Sequence, residues 1–122
     1  MTATAGQRNA LGAHGETLAA RHLTRQGMVL LERNWRCPAG EIDLVLRDGD
    51  VLVVCEVKTR SSEAFGAPLE AVSEAKLARL RRLGAQWMRE RGVSPRDIRI
   101  DLVGVLRPRR GPAQIEHVAG VG

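Results

Sequence analysis

The sequence predicts an α/β fold in which two helices flank a mixed central sheet, in the order α-β-β-β-α-β-β. Three observations carry that expectation. Apolar residues recur at helical spacing over 11–26 and again over 68–91. The remaining chain holds short runs rich in Val, Leu and Ile, alternating with polar residues or continuously apolar. Turn signals at Pro38-Ala39-Gly40 and Asp48-Gly49-Asp50 separate three of these runs.

In chain order, residues 1–9 read as a loose tail. Leu11 to Gln26 reads as a helix stopped by Gly27, with Leu11, Leu18, Ala19, His22 and Leu23 as its apolar stripe and Glu16 at the border. An acid early in a helix also suits the helix dipole, so Glu16 has a structural reading beside a functional one. Met28 to Leu31 begins a first strand that runs towards Asn34-Trp35-Arg36. Glu41 to Arg47 is a second and Val51 to Thr59 a third, apolar on both faces as far as Cys55 and hence central. Ser61 to Ala67 is expected as a loop. Pro68 then opens a long helix to about Arg91, with Leu69, Val72, Leu80, Leu83 and Trp87 inward and Arg79, Arg81, Arg82, Arg89 and Arg91 on a basic flank. Ile98 to Leu106 is a fourth strand, a basic turn follows at 107–112, and Gln114 to Val118 is a short edge strand. The boundaries expected are a tail over 1–9, one domain over 10–119 and a tail over 120–122.

With 122 residues the chain has the size of one ordinary domain. It holds no apolar run long enough to cross a bilayer, and Met1 to Asn9 lacks the apolar core of a signal peptide. The default expectation is a cytoplasmic protein without a membrane partner. Cys37, Cys55 and the three histidines lack zinc-ligand spacing. Counting leaves a 37–55 disulfide open, while Cys55 within a strand reads as a small buried hydrophobe.

The net charge of +5 and pI of about 10.5 suit a polyanionic partner such as nucleic acid. With no Tyr, one Phe and two Trp, an aromatic platform for stacking single-stranded bases is not expected. The seventeen arginines leave only two lysines, Lys58 and Lys76, and this scarcity marks both positions. A lysine offers a compact point charge where arginine offers a planar fork.

The most specific feature is the stretch Gly40-Glu41-Ile42-Asp43-Leu44-Val45 … Val54-Cys55-Glu56-Val57-Lys58-Thr59-Arg60. It sets Asp43, Glu56 and Lys58 inside two runs that otherwise read as buried strands. Buried charge is costly unless paired or bound to a metal. Side chains alternate along strands, so Glu56 and Lys58 share a face, as do Glu41, Asp43 and Val45. A two-residue Asp48-Gly49 loop pairs Arg47 with Asp50 and Asp43 with Val54. Asp43 and Glu56 then become diagonal neighbours about 7–8 Å apart, and a one-residue slip would put them on opposite faces. Two converging carboxylates suit Mg²⁺ or Mn²⁺, which take hard oxygen ligands together with waters and phosphate oxygens. Lys58 could then stabilise charge building on a phosphate. Spacing alone leaves open a plain salt-bridge network of Glu41, Asp43, Glu56, Lys58 and Arg60.

Gly40-Glu41-Ile42-Asp43 followed by Glu56-Val57-Lys58 resembles the PD-(D/E)xK signature of restriction-endonuclease-like proteins, which include Holliday-junction resolvases. The chain as a whole resembles the YraN-like family of uncharacterised, endonuclease-related bacterial proteins. The supporting segments are Leu11-Gly12-x-x-Gly15-Glu16-x-x-Ala19, Arg33-Asn34-Trp35-Arg36, Glu56-Val57-Lys58-Thr59-Arg60, Phe65-Gly66, Lys76-x-x-Arg79-Leu80 and Arg99-Ile100-Asp101, spread over residues 11–106. Ile42 stands where the wider superfamily often carries Pro.

The resemblance implies a restriction-endonuclease-like sheet flanked by helices. It implies Asp43 and Glu56 as ligands of Mg²⁺ or Mn²⁺, the Val57 carbonyl as a third, Lys58 as the catalytic lysine and Glu16 as an added helix-borne acid. Arg60, Lys76 and Arg79 are candidate nucleic-acid contacts; a snorkelling role for Lys76 is the structural alternative. The expected function is a divalent-metal-dependent nuclease acting on DNA, branched or flapped substrates included. The alternatives are a non-catalytic nucleic-acid-binding or adaptor module that retains the fold, and a small interaction domain. A homodimer is left open.

Overall fold

A computed structural model of the chain describes residues 5–61 and 72–121, with side chains from Gly12 onward. Its elements are α1 (Ala5–Arg25), β1 (Val29–Cys37), β2 (Gly40–Asp48), β3 (Val51–Ser61), α2 (Glu74–Arg91), β4 (Asp97–Arg107) and β5 (Gln114–Val118). The five strands form one sheet in the order β1-β2-β3-β4-β5. Only the β3–β4 pair is parallel, and α2 makes the crossover between them. The expected α/β order and the central place of the third strand are both found.

β3 carries the core on both faces, which is why its run is apolar without alternation. Val53 and Cys55 pack with Leu44, Leu46, Val103 and Val105 under Ala19, Ala20 and Leu23 of α1. Leu52 and Val54 pack with Ile42, Val45, Ile100 and Trp35 under Leu80, Leu83 and Trp87 of α2. Cys37 and Cys55 therefore belong to opposite faces, and both are free thiols. Among the described residues no helix is long and apolar enough to cross a membrane.

Several boundaries differ from the sequence reading. α1 begins at Ala5, so 5–9, expected as tail, are helical. The expected C-terminal tail is tied down, because the amide of Gly120 donates to Asp101 Oδ1 at 3.1 Å and that of Val121 to the Ile100 carbonyl at 2.9 Å. α2 starts at Glu74, not in the Pro68 region, because the Ser73 side chain accepts a hydrogen bond from the Lys76 amide and caps the helix there. Most of the expected loop, from Ser62 on, together with Pro68 and Leu69, lies outside the described residues.

The hairpin register also differs. The turn is Gly49-Asp50, with Asp48 paired to Val51, Val45 to Val54 and Leu44 to Cys55. Gly49 supplies the positive φ of 62° at the first central position that a two-residue hairpin turn requires. Glycine thus belongs one place earlier in the loop than an Asp48-Gly49 turn would put it. Continued one step past its last pair, this register sets Asp43 against Glu56, where the sequence reading pairs it with Val54. The slip is two residues, so parity is preserved.

β4 contributes one charged side chain that is fully buried. Asp101, at 0% exposure, accepts from Arg99 Nε at 2.8 Å and Arg99 NH2 at 3.0 Å, contacts His117 Nε2 at 2.8 Å, and also takes the Gly120 amide. Arg99 reaches on to Asp48 at 3.0 Å. The cluster ties the end of β2, β4, β5 and the C-terminal segment together. Burial pushes the Asp101 carboxyl up, but the hydrogen bonds from Arg99, His117 and Gly120 outweigh it and hold the group below the ordinary aspartate value of 3.8. An acid held low in the fold contributes stability that is complete above 3.8 and is lost as pH falls below it. Asp101→Ala removes the buried acceptor shared by Arg99, His117 and the Gly120 amide, leaves Arg99 only Asp48, and is expected to cost about 2–3 kcal/mol, read as a lower urea midpoint at unchanged slope.

Candidate active site

The paired ladder of β2 and β3 stops at Leu44↔Cys55, although both strands continue. Gly40–Ile42 stays with β1, and Glu56–Ser61 stays with β4. The strands therefore fork, and Asp43 and Glu56 are the first residues inside the fork. The side-chain alternation breaks at the same place. Ile42 and Val45, three residues apart, both face the α2 side, while Leu44 faces α1. Opposite Asp43, Asn34 of β1 has a left-handed φ of 53°, flanked by the pairs Arg33↔Leu44 and Trp35↔Ile42. This local twist frees Asp43 from the expected face shared with Glu41 and Val45. Its Oδ2 instead accepts a hydrogen bond from the Val57 amide at 2.8 Å, where a ladder carbonyl would otherwise stand.

Asp43 is the most perturbed acid of the fork. Burial raises its carboxyl from 3.8 to about 6; the Val57 amide opposes this, and the neighbouring Glu16, Glu56 and Glu41 carboxylates add to it. Glu16 reaches this cluster because α1 lies close on β3. A Cβ built on Gly15 would stand 1.9 Å from Thr59 Oγ1, so only glycine allows that approach without moving Thr59. Glu16 itself is mostly buried, with Arg33 NH2 at 3.8 Å. Arg33 is held in turn by Thr17 Oγ1 at 3.1 Å and the Ala13 carbonyl at 3.2 Å.

Glu56 continues the β3 face that carries Leu52 and Val54, and there it meets α2. Lys76 Nζ lies 2.8 Å from Glu56 Oε2, with side-chain exposures of 29% and 19%. Lys76 is thus no idle snorkelling lysine, since its ammonium is the cation held against the fork. Lys58 is exposed two residues beyond Glu56, Arg60 is half-buried, and Arg79 is exposed one turn along α2 from Lys76. Two acids of the alternative salt-bridge network pair outside the hairpin's β2 and β3. Glu41 binds Arg36 at 2.9 Å on the surface, and Glu56 binds Lys76.

The fork thus gathers Asp43, Glu56, Lys76 and the Val57 amide, with Glu16 and Glu41 electrostatically close. Among the described residues no three His, Cys, Asp or Glu side chains are grouped tightly enough to hold a metal ion between them. Two residues escaped the sequence reading. Arg33, which holds Glu16, and Asn34, which twists β1, stand in a segment singled out only for its resemblance. The signal available was Arg33-Asn34-Trp35, where a turn-favouring Asn interrupts a strand.

An acid whose folded value of about 6 exceeds its unfolded 3.8 binds its proton more tightly when folded. Its contribution to stability is therefore greatest below pH 4 and falls as pH rises through 6. Asp43→Asn removes this cost. The variant is expected to be more stable than wild type above pH 6 by on the order of 2–3 kcal/mol, with the gain vanishing near pH 4. Paired thermal melts at the two pH values check this.

The profile of the uncharacterised protein family UPF0102 matches residues 15–105. A UPF0102 protein of a Nocardioides species is 70% identical over 121 residues, covering 99% of this chain and 98% of the relative. UPF0102 proteins of Streptomyces griseus and Beutenbergia cavernae are 59% and 58% identical, each over 115 residues, covering 93% and 94% of this chain and 97% and 98% of the relatives. The match takes in Glu16, Asp43, Glu56, Lys58 and Lys76 alike, and the chain belongs to the UPF0102 family.

Proposed function

We propose that the protein is a divalent-metal-dependent nuclease of the restriction-endonuclease-like superfamily, hydrolysing phosphodiester bonds in DNA. The observation that carries this reading is the fork, which holds Asp43 half-buried against the Val57 amide, with Glu56 close enough to raise its carboxyl. Strand pairing is given up at the residues that carry the charge, and the fold tolerates an acid raised to about 6 there. Perturbed acids at a break in regular structure are the physical mark of a working site.

The donor set fits a hard cation. Mg²⁺ and Mn²⁺ are commonly held by one or two carboxylates plus waters and substrate phosphate, and Asp43 and Glu56 supply two. Within a strand the amide and carbonyl of one residue point to the same neighbour. The Val57 carbonyl therefore opens to the fork on the side where its amide meets Asp43. Bound there, the ion would supply Lewis acidity towards a phosphate oxygen. The chain's own residues do the rest. Lys58 and Lys76 bring positive charge to a phosphate gaining negative charge. Arg33 holds Glu16 beside the carboxylate pair, and the Val57 amide orients Asp43.

One observation favours a second reading, a nucleic-acid-binding module without turnover. Lys76 already neutralises Glu56 with its ammonium at 2.8 Å, as a cation would. The two readings separate on metal. In calorimetric titrations with Mn²⁺, Lys76→Gln is expected to bind the ion more tightly than wild type, because a competing charge is gone. No binding by either, with DNA present, would favour the module. Activity is checked on labelled duplex, nicked and four-way DNA with Mn²⁺. Wild type is expected to cleave at least one substrate, and Asp43→Ala to lose that cleavage by roughly 100-fold or more; equal inertness of both on all substrates ends the catalytic reading.

A further inference from the structure

α2 carries six cations, Lys76, Arg79, Arg81, Arg82, Arg89 and Arg91, against two acids, Glu74 and Glu90. Some of these cations are engaged. Lys76 holds Glu56, and Arg91 binds Glu32, which also accepts from Trp87 Nε1 at 2.9 Å. Arg79, Arg82 and Arg89 are different. All three are exposed, and none makes an ion pair within the described residues. They line one side of a groove of about 420 Å³, whose far wall includes Ala39 in the β1–β2 turn and whose floor is Leu83 and Gln86.

Two features say what such a groove accepts. Among the described residues these three guanidiniums make no ion pair and outnumber the one carboxylate beside them, that of Glu90, which accepts from Gln86 Nε2 at 3.1 Å; planar forks of this kind match phosphate oxygens. The row also has a direction. Arg79 stands one helical turn from Lys76, and the ten steps from Arg79 to Arg89 span about 15 Å along the helix. Laid parallel to a duplex axis, that length covers the rise of about four phosphates of one strand. The wall opposite, at Ala39, leads directly into β2 and so to Asp43. Among the described residues no aromatic ring lines the groove, and Trp35 and Trp87 are buried in the α2-side core. Bases therefore have nothing to stack on, and a paired backbone fits better than a single strand.

We infer that the Arg79–Arg82–Arg89 groove is a binding track for the phosphate backbone of double-stranded DNA, which it delivers past Lys76 to the fork. This rests on the nuclease reading for its end point, but binding itself needs neither metal nor turnover. The contacts are to phosphates and carry no sequence preference.

The test measures binding in EDTA, by fluorescence anisotropy, of a labelled duplex of mixed sequence and of one of its strands. The variants are Arg79→Gln/Arg82→Gln/Arg89→Gln and a control with equal charge loss, Arg21→Gln/Arg25→Gln/Arg110→Gln, drawn from exposed arginines outside the groove. Circular dichroism melts verify that both fold. The groove variant is expected to bind duplex about tenfold or more weakly than wild type, and its salt slope to shrink by roughly 2–3 units. The control should lose much less. Duplex binding that survives in the groove variant, or falls equally in the control, overturns the track and leaves the fork reading untouched. Preference of wild type for the single strand overturns it as well. Loss of cleavage by Asp43→Ala with duplex binding intact tests the fork alone.

Discussion

The hydrogen bond from the Val57 amide to Asp43 is the contact on which the site's geometry depends. A sheet that paired β2 and β3 to their ends would satisfy that amide with a carbonyl and close the gap. Here a carboxylate takes the amide instead, and the two strands diverge to β1 and β4. The divergence leaves β2 and β3 unpaired with each other at one end of an otherwise continuous sheet. It also leaves Asp43 in a place where ionisation is disfavoured, by burial first and by its acidic neighbours as well. A lone aspartate there would be a defect. With Glu56 across from it and Glu16 nearby, it is the centre of a negative site that attracts cations, and Lys76 is the cation the chain itself supplies.

The rest of the fold holds this opening in place. The continuous apolar run of β3 locks the strand between two cores, so its charged continuation is carried rigidly to the fork. Gly15 lets α1 settle onto Thr59 and brings Glu16 to the same end. Ser73 caps α2 so that its first turn presents Lys76 to Glu56. On the α1 side of the sheet, the buried Asp101 with Arg99, Asp48, His117 and Gly120 joins three strands and the C-terminal segment. The two aspartates are opposite electrostatic cases. Asp101 has enough donors to stay ionised in full burial, whereas Asp43 has one amide and several carboxylates around it.

The helices divide the labour differently. α1 contributes an acid and an arginine clamp through Glu16 and Arg33 of the adjoining β1. α2 contributes cations, one of them inside the fork and three along a groove that leads away from it. A single amphipathic helix thus seals a core with Leu80, Leu83 and Trp87 and turns a row of guanidiniums outward.

The sequence by itself determined the element order, the central position of β3, the two cores and the choice of Asp43 and Glu56 as the centre of interest. These follow from local periodicity and from the scarcity of charge within apolar runs, which short-range sterics and burial enforce. Family membership was legible too, because its motifs are spread along the chain. Tertiary structure alone decided the Gly49-Asp50 register, the twist at Asn34 that turns Asp43 onto Val57, and the Lys76–Glu56 pair. Each depends on which groups meet across the sheet or between helix and strand, and such meetings join residues distant in the chain. The same reason explains the row on α2. Helical spacing could place its arginines on a flank, but only the folded chain sets that flank beside the β1–β2 turn and aims it at the fork.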